Sequence, residues 1–200
     1  GYLTDFDAQF EIANNPALPE AMQAYAEHTV LPALIARVSA GGLPANHYIG
    51  EITSTRQPVT HGGLTLRNFR NTAGLRGALS VLVETKLDPR TDAFPTYRNI
   101  AVRVDRQRLC IRSFLAEVHA RRAAIREQVQ AARAAPMPRT LPLFAGYAPT
   151  PGRPTVTVAL RRLDTRALEP RAFADHRRRV TADTVRVPGE LIVTRHTLAL

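Results

Sequence analysis

The chain has no tryptophan, a single cysteine, and only one lysine among its 27 basic residues, and each scarcity removes a class of function. Cys110 alone excludes an internal disulfide and a multi-cysteine metal site. It falls on the apolar face of a helical pattern and is expected in the core. No apolar run approaches the ~20 residues of a membrane span, and no charged-then-apolar leader is found, so no membrane partner is expected. Aromatics make up 6% of residues, and 17 acidic residues leave a net charge of +10 with a pI near 11.0. That charge invites a polyanion reading. The basic set, however, is arginine throughout except Lys86, in a chain rich in Ala and Pro. This skew fits GC-rich coding better than a phosphate-binding surface. Without interleaved aromatics or a recognisable module, nucleic acid is not an expected partner. What is present, 44% hydrophobic residues over 200 positions, suffices for a packed core. The first residue, Gly1, is not Met, and Ala199-Leu200 ends in an apolar pattern, so we expect a piece of a longer polypeptide.

Three regions emerge along the chain. Asn14-Asn15-Pro16, then Pro19 and Glu20, open a helix with proline and an acid in its first turn. Met22, Tyr25, Ala26, Thr29, Val30, Ala33, Leu34 and Val38 repeat at helical spacing, Gly41-Gly42 ends the pattern, and Pro32 should kink or break it. His47-Tyr48-Ile49-Gly50 with Ile52 is a short strand candidate, and Thr53 to Thr65 reads as an exposed loop. Asn71 or Thr72 is expected to cap a short helical turn before the apolar run Ala78 to Val83, a buried strand that delivers Glu84 at its end. After a loop from Thr85 to Pro95, a helix is expected over about 96–134. Its apolar stripe would be Ile100, Val104, Ile111, Phe114, Leu115, Val118, Ile125 and Val129. Arg103, Arg106, Arg121, Arg122, Arg126 and Arg133 would form its solvated face. Past Pro136 and Pro138 the texture turns β-like at 155–160, 184–187 and 190–193. The expected organisation is therefore residues 1–136, followed by a β-rich module over 137–200 that is incomplete at Leu200.

Glu84 is the residue that most demands a reason. Burying an unpaired carboxylate costs several kcal/mol, on the order of the penalties known for isolated charges. It is either paired or placed for chemistry. Spacing alone favours an ion pair with Arg70, Arg76 or Lys86. A strand end opening onto a loop also suits a general base, since α/β sheets place ligand sites beyond their strand ends. The six histidines are scattered with no His-Glu-x-x-His or i,i+4 pairing, so no zinc site is expected from this chain alone. His61, in the Thr60-His61-Gly62-Gly63 loop, is the one histidine placed for substrate contact. No Gly-x-Ser-x-Gly elbow or phosphate-binding glycine loop is present.

The run from Asn71 to Thr85, Asn-Thr-Ala-Gly-Leu-Arg-Gly-Ala-Leu-Ser-Val-Leu-Val-Glu-Thr, resembles the Gly-Leu-Arg-x-x-x-(apolar)-Glu-(Thr/Ala) segment of bacterial zinc carboxypeptidase-like proteins, relatives of carboxypeptidase A. Gly1-Tyr2-Leu3-Thr4 is similar to the segment after that family's last zinc histidine. Val187-Pro188-Gly189-Glu190-Leu191-Ile192-Val193 resembles the proline-led strand of a β-rich extension found in many of its members. The resemblance implies an α/β fold: the carboxy-terminal part of a mixed-sheet, phosphorylase/hydrolase-like catalytic domain over 1–136, then the extension. It implies Glu84 as general base for a zinc-bound water, and Arg70, Asn71, Arg76 and His61 as substrate-binding residues. The zinc ligands, and the arginines that hold a substrate carboxylate, are expected ahead of Gly1. The implied substrate is a peptide, or an N-acyl amino acid in the sister deacylases, in a periplasmic or secreted setting. A non-catalytic homologue or a basic binding module remains the alternative class. The family's mobile tyrosine would fall near Gly62, where no tyrosine stands, so the chain is a divergent member or another group does that work. Glu84 should face an open cleft near His61 or Arg70; a carboxylate enclosed and forked to an arginine would contradict its role as a base.

Overall fold

The computed structural model describes residues 2–50, 52–86, 100–136, 140–162 and 167–186. Helices combine with small sheets, one of them mixed. The first region gives β1 (Tyr2–Thr4), β2 (Ala8–Ile12), α1 (Glu20–Tyr25), α2 (Leu31–Ala40), β3 (Ala45–His47), α3 (Phe69–Leu75) and β4 (Val81–Thr85). In β2 the alternation Ala8, Phe10, Ile12 buries one face, and these side chains meet Leu31, Leu34, Val38 and Cys110 in the main core. β3 pairs parallel and β4 antiparallel with β2, giving the order β3-β2-β4.

Proline and glycine act where the sequence places them. Between α1 and α2, residues Ala26–Val30 widen into a π-helical segment, and the Leu31 N–H reaches back to Ala26 O. Pro32 follows at once, in the first turn of α2. The wider turn accommodates a residue that lacks an N–H and whose ring crowds the preceding carbonyl. Gly77 takes φ +72 just past α3, a conformation that side chains disfavour, and turns the chain into β4.

Several expectations need correcting. The strand expected around His47–Ile52 forms earlier, at Ala45–His47. Asn68, not Asn71 or Thr72, precedes the first turn of α3, and Asn71 is fully buried. β4 starts at Val81 instead of Ala78, carries Glu84 next to its last residue, and is half-buried because only one of its faces packs on the core. The long helix breaks at Arg121 into α4 (Ile100–Ala120) and α5 (Arg122–Ala134).

The face that α4 presents also differs. Ile100, Val104, Ile111 and Leu115 are each at least half exposed, whereas Leu109, Cys110 and Phe114 pack on the core. Two arginines expected in solvent are engaged instead: Arg121 binds buried Glu117 together with Arg37 of α2, and Arg106 Nη2 lies 3.6 Å from Asp7 Oδ2. A helix with apolar residues on more than one side is oriented by these charge partners as much as by its stripe.

The later region gives β5 (Thr140–Ala148), β6 (Thr155–Arg162), β7 (Leu168–Ala174) and β8 (Arg178–Arg186). β6 covers the β-like run at 155–160, and β8 covers most of that at 184–187. The run at 190–193 and the proline-led strand lie outside the described residues, as does most of the 85–95 loop. β6 pairs with β1 on one side and β7 on the other, while β5 pairs with β8. The sheet β1-β6-β7 thus crosses the compositional boundary near Pro136. So does a second core cluster, in which Phe6, Ile49 and Val59 pack with Val158, Leu160 and Phe173.

Candidate functional site

The alternation that buries Phe10 turns Gln9 and Glu11 to the other face of β2. Glu11 is 4% exposed there and is gripped from several directions. The Gly62 N–H donates to its Oε1 at 2.7 Å, Asn14 Nδ2 lies 3.0 Å from the same oxygen, and Arg70 Nη2 stands 2.5 Å from Oε2. Burial pushes Glu11 up to about 7, and the Glu84 charge adds to that; Arg70, the Gly62 N–H and Asn14 pull the other way.

Arg70 also donates Nε to Ile12 O and Nη2 to Asn14 Oδ1 and Gly63 O, each at 3.2 Å. Asn71 accepts from the Asn14 N–H at 2.8 Å and donates to Gly63 O and Thr65 O. Both residues therefore fasten the loop from Gly62 to Thr65 onto the end of β2. The loop's close approach requires glycine: a Cβ on Gly62 would collide with Glu11 Oε2 and come within 2.9 Å of Arg70 Nη2. Because Glu11 and Arg70 are buried and bonded, neither can give way. Gly62→Ala is expected to cost about 2 kcal/mol, as overpacking does, measured by urea denaturation.

Tyr147, from β5, closes the cluster. Its hydroxyl donates to Gly62 O at 2.8 Å and lies 2.8 Å from Asn14 Nδ2, while its ring meets His61 edge-on at 6.0 Å between centroids. Burial, then the neighbouring Glu11 charge, push its phenol up, so it stays protonated and donates. His61 is half-buried, with Nδ1 3.0 Å from Tyr48 O. A carbonyl only accepts, so Nδ1 carries the proton and Nε2 keeps its lone pair in the neutral ring. Burial lowers the basicity of His61, offset by the Tyr48 bond and reinforced by Arg177, and burial does the same to His47.

Beside this cluster opens a cavity of about 650 Å³ bounded by both regions of the chain. Asn14, Glu27, His28, His47 and His61 line it from one side, and Tyr147, Asp175, Arg177 and Arg179 from the other. A smaller recess shares Asn14, His47 and His61 with it and reaches Glu11.

The expected site residues are thus divided. His61, Arg70 and Asn71 come together around Glu11, with Arg70 and Asn71 serving as buried struts of the loop. Glu84 sits apart from the cavity lining. It stands opposite Gln9 on the antiparallel pair, diagonal to Glu11 on the same sheet face. It is exposed, and among the described residues no hydrogen bond or ion pair holds its carboxylate. Arg70 is committed to Glu11, Lys86 binds Thr4 O, and Arg76 lies exposed beyond α3, so none of the three forms the ion pair that spacing favours.

Glu11 itself was open to the reasoning applied to Glu84, since a carboxylate flanked by Phe10 and Ile12 in an alternating strand needs a partner. Tyr147, Asp175 and Arg177 carry no local signal. Among the described residues, no group of three or more His, Cys, Asp or Glu is arranged to hold a metal ion, and no helix is long and apolar enough to cross a membrane. A scan against protein-family models finds no match, and searches of curated proteins and of solved structures find none either.

Proposed function

We propose that this chain supplies the general base of a carboxypeptidase-like hydrolase of peptide or amide bonds, and that Glu84 is that base. The observation that carries the reading is a juxtaposition. Glu84 stands near the carboxyl end of β4 with no bond to its carboxylate among the described residues, and Lys86, two residues on, binds the chain's leading segment. Its N–H donates to Asp7 O at 2.9 Å and its Nζ to Thr4 O. The segment through which residues ahead of Gly1 would join the fold is thus tied to the same end of β4, and the proposal puts the metal ligands, which the resemblance expects there, within reach of Glu84. Glu84 would take the proton of the water attacking the scissile carbonyl and return it to the departing amine, a positioned transfer worth roughly 10²–10⁴ in rate.

The described residues do not fit a zinc ion by themselves, so zinc enters the proposal only as a group held from outside them. Arg76, exposed just past α3, is free to meet a substrate carboxylate. Tyr147 brings a phenol to Gly62, the place where the resemblance leaves a tyrosine missing. The basic-module alternative gains nothing from Arg37, Arg70, Arg121 and Arg177, whose charges are spent on carboxylates of the same chain.

The test is hydrolysis of peptides with a free or an amidated carboxyl terminus, and of N-acyl amino acids, by the longer polypeptide and by residues 1–200. The longer polypeptide is expected to turn over one of these with zinc, and residues 1–200 none. Equal turnover by the two would remove the expectation that the metal ligands precede Gly1. Turnover of free-carboxyl peptides alone would mark a carboxypeptidase, and of N-acyl amino acids alone a deacylase.

A further inference from the structure

We propose that the 650 Å³ cavity between the two regions is a binding site for a small oxyanion ligand, a carboxylate or phosphate group, anchored by Arg177. The size lies within the roughly 300–1,000 Å³ range of small-molecule sites. Glu84 does not line the cavity, and the proposal does not rest on the role assigned to that residue.

Arg177 is built for the task. Asp175 is 1% exposed and takes a fork from it, Nε to Oδ1 at 2.7 Å and Nη2 to Oδ2 at 2.6 Å. The Thr150 hydroxyl donates to the same Oδ1 at 3.1 Å and accepts from the Arg177 N–H. The backbone is fixed as well: Asp175 bridges Val59 in parallel, its N–H donates to Pro154 O, and the His176 N–H donates to Val59 O. Held on one edge, the guanidinium keeps its Nη1 donors without a partner among the described residues. A planar fork with one edge immobilised suits a second bidentate acceptor.

The surrounding charge agrees. Asp175 is matched by Arg177, and Glu27 by Arg179 at 3.6 Å, which leaves Arg153 and Arg178 as excess positive charge on the lining. His47, His61 and Arg177 line the same space; burial and then the Arg177 charge lower the basicity of both rings, while the Glu27 charge opposes this. The neutral rings and the Tyr147 edge offer polar and flat contacts to the body of the ligand.

Titration calorimetry of the chain with inorganic phosphate and, separately, with glutarate, at constant ionic strength set with sodium chloride, tests the proposal. One saturable site is expected for at least one of them; the tighter ligand distinguishes a phosphate from a carboxylate site. Arg177→Gln should weaken that binding about tenfold or more, as the loss of a charged fork does. Removal of Arg177 leaves Asp175 buried and unpaired and endangers folding, so R153Q/R178Q, which changes two exposed arginines, provides the second reading. It should weaken binding about threefold or more through the lost field. Arg126→Gln, exposed on α5, should leave binding unchanged. The proposal is overturned by no saturable binding of either ligand to about 20 mM, a weakness beyond any specific site. It is equally overturned if R126Q weakens binding as much as the cavity variants do.

Discussion

Arg70→Met is expected to destabilise the chain by about 3–5 kcal/mol at pH 8, the range for stripping one partner from a buried pair. The cause is local. Glu11 is buried on the second face of β2, and among the described residues Arg70 is the only cation within ion-pair reach of its Oε2, at 2.5 Å. Methionine fills much of the space but returns no charge, and it also abandons Ile12 O and Gly63 O. The loss should shrink on acidification, because a protonated Glu11 no longer needs the cation.

The wild-type chain carries the same signature. Glu11 rises from 4.5 to about 7 on folding, so the folded state binds the extra proton between those values. Its contribution is therefore fully present below about 4.5 and is lost as pH rises through about 7, amounting to about 3 kcal/mol at 1.36 kcal/mol per unit. His47 and His61, lowered on folding, act in the opposite direction up to 6.5. Urea denaturation of wild type and Glu11→Gln at pH 5 and pH 8 separates the two. The Glu11 slope should vanish in E11Q and leave only the histidine trend. An equal pH dependence in both proteins would show that Glu11 does not carry the buried proton.

Local chemistry made part of this fold legible. The helical period from Met22 to Val38, ended by Gly41-Gly42, is borne out as buried Met22, Ala26, Val30, Leu34 and Val38; in place of a kink or break at Pro32 the helix widens into the π-helical segment Ala26–Val30 just before it. The strand leading to Glu84 was also readable, and the segment from Thr53 to Thr65 was readable as a loop but not as an exposed one, since Val59 is buried in the second core and Gly62 packs against Glu11. The orientation of α4 was not, because its apolar residues cover more than one side and the choice was made by its Arg106 meeting Asp7 and its Glu117 meeting Arg37 of α2. β5 and β7 are not legible because Pro142 and Pro170 argue against strands. Both are tolerated here because β5 lies in a two-stranded sheet and β7 at an edge of the β1-β6-β7 sheet. The cluster around Glu11 was half-legible. His61, Arg70 and Asn71 are legible as substrate-contact candidates, but the strand carboxylate that unites them, Glu11, is marked only by its place between Phe10 and Ile12. Tyr147 and Arg177 reach the site only through pairing across more than eighty residues, which no local pattern encodes.

Glu84→Gln is expected to leave folding intact and remove catalysis. The side chain is exposed and unbonded among the described residues, so the substitution should shift stability by no more than about 0.5 kcal/mol. Glutamine keeps the size and the acceptor oxygen but takes no proton at neutral pH. A general base lost in this way costs roughly 10²–10⁴ in rate. The deficit belongs in kcat with KM little changed, because the proton moves only in the transition state. Glu84→Asp, one methylene shorter, should fall between the two, since it keeps the base but displaces it.

The decisive measurement is kcat for a polypeptide carrying the proposed zinc ligands ahead of Gly1, and for its E84Q variant, on the substrate the former turns over, with bound zinc quantified in the same preparations. The account predicts equal zinc and a kcat at least about 100-fold lower in E84Q. Equal zinc with kcat within about threefold of wild type, far below the effect of losing a general base, would contradict it.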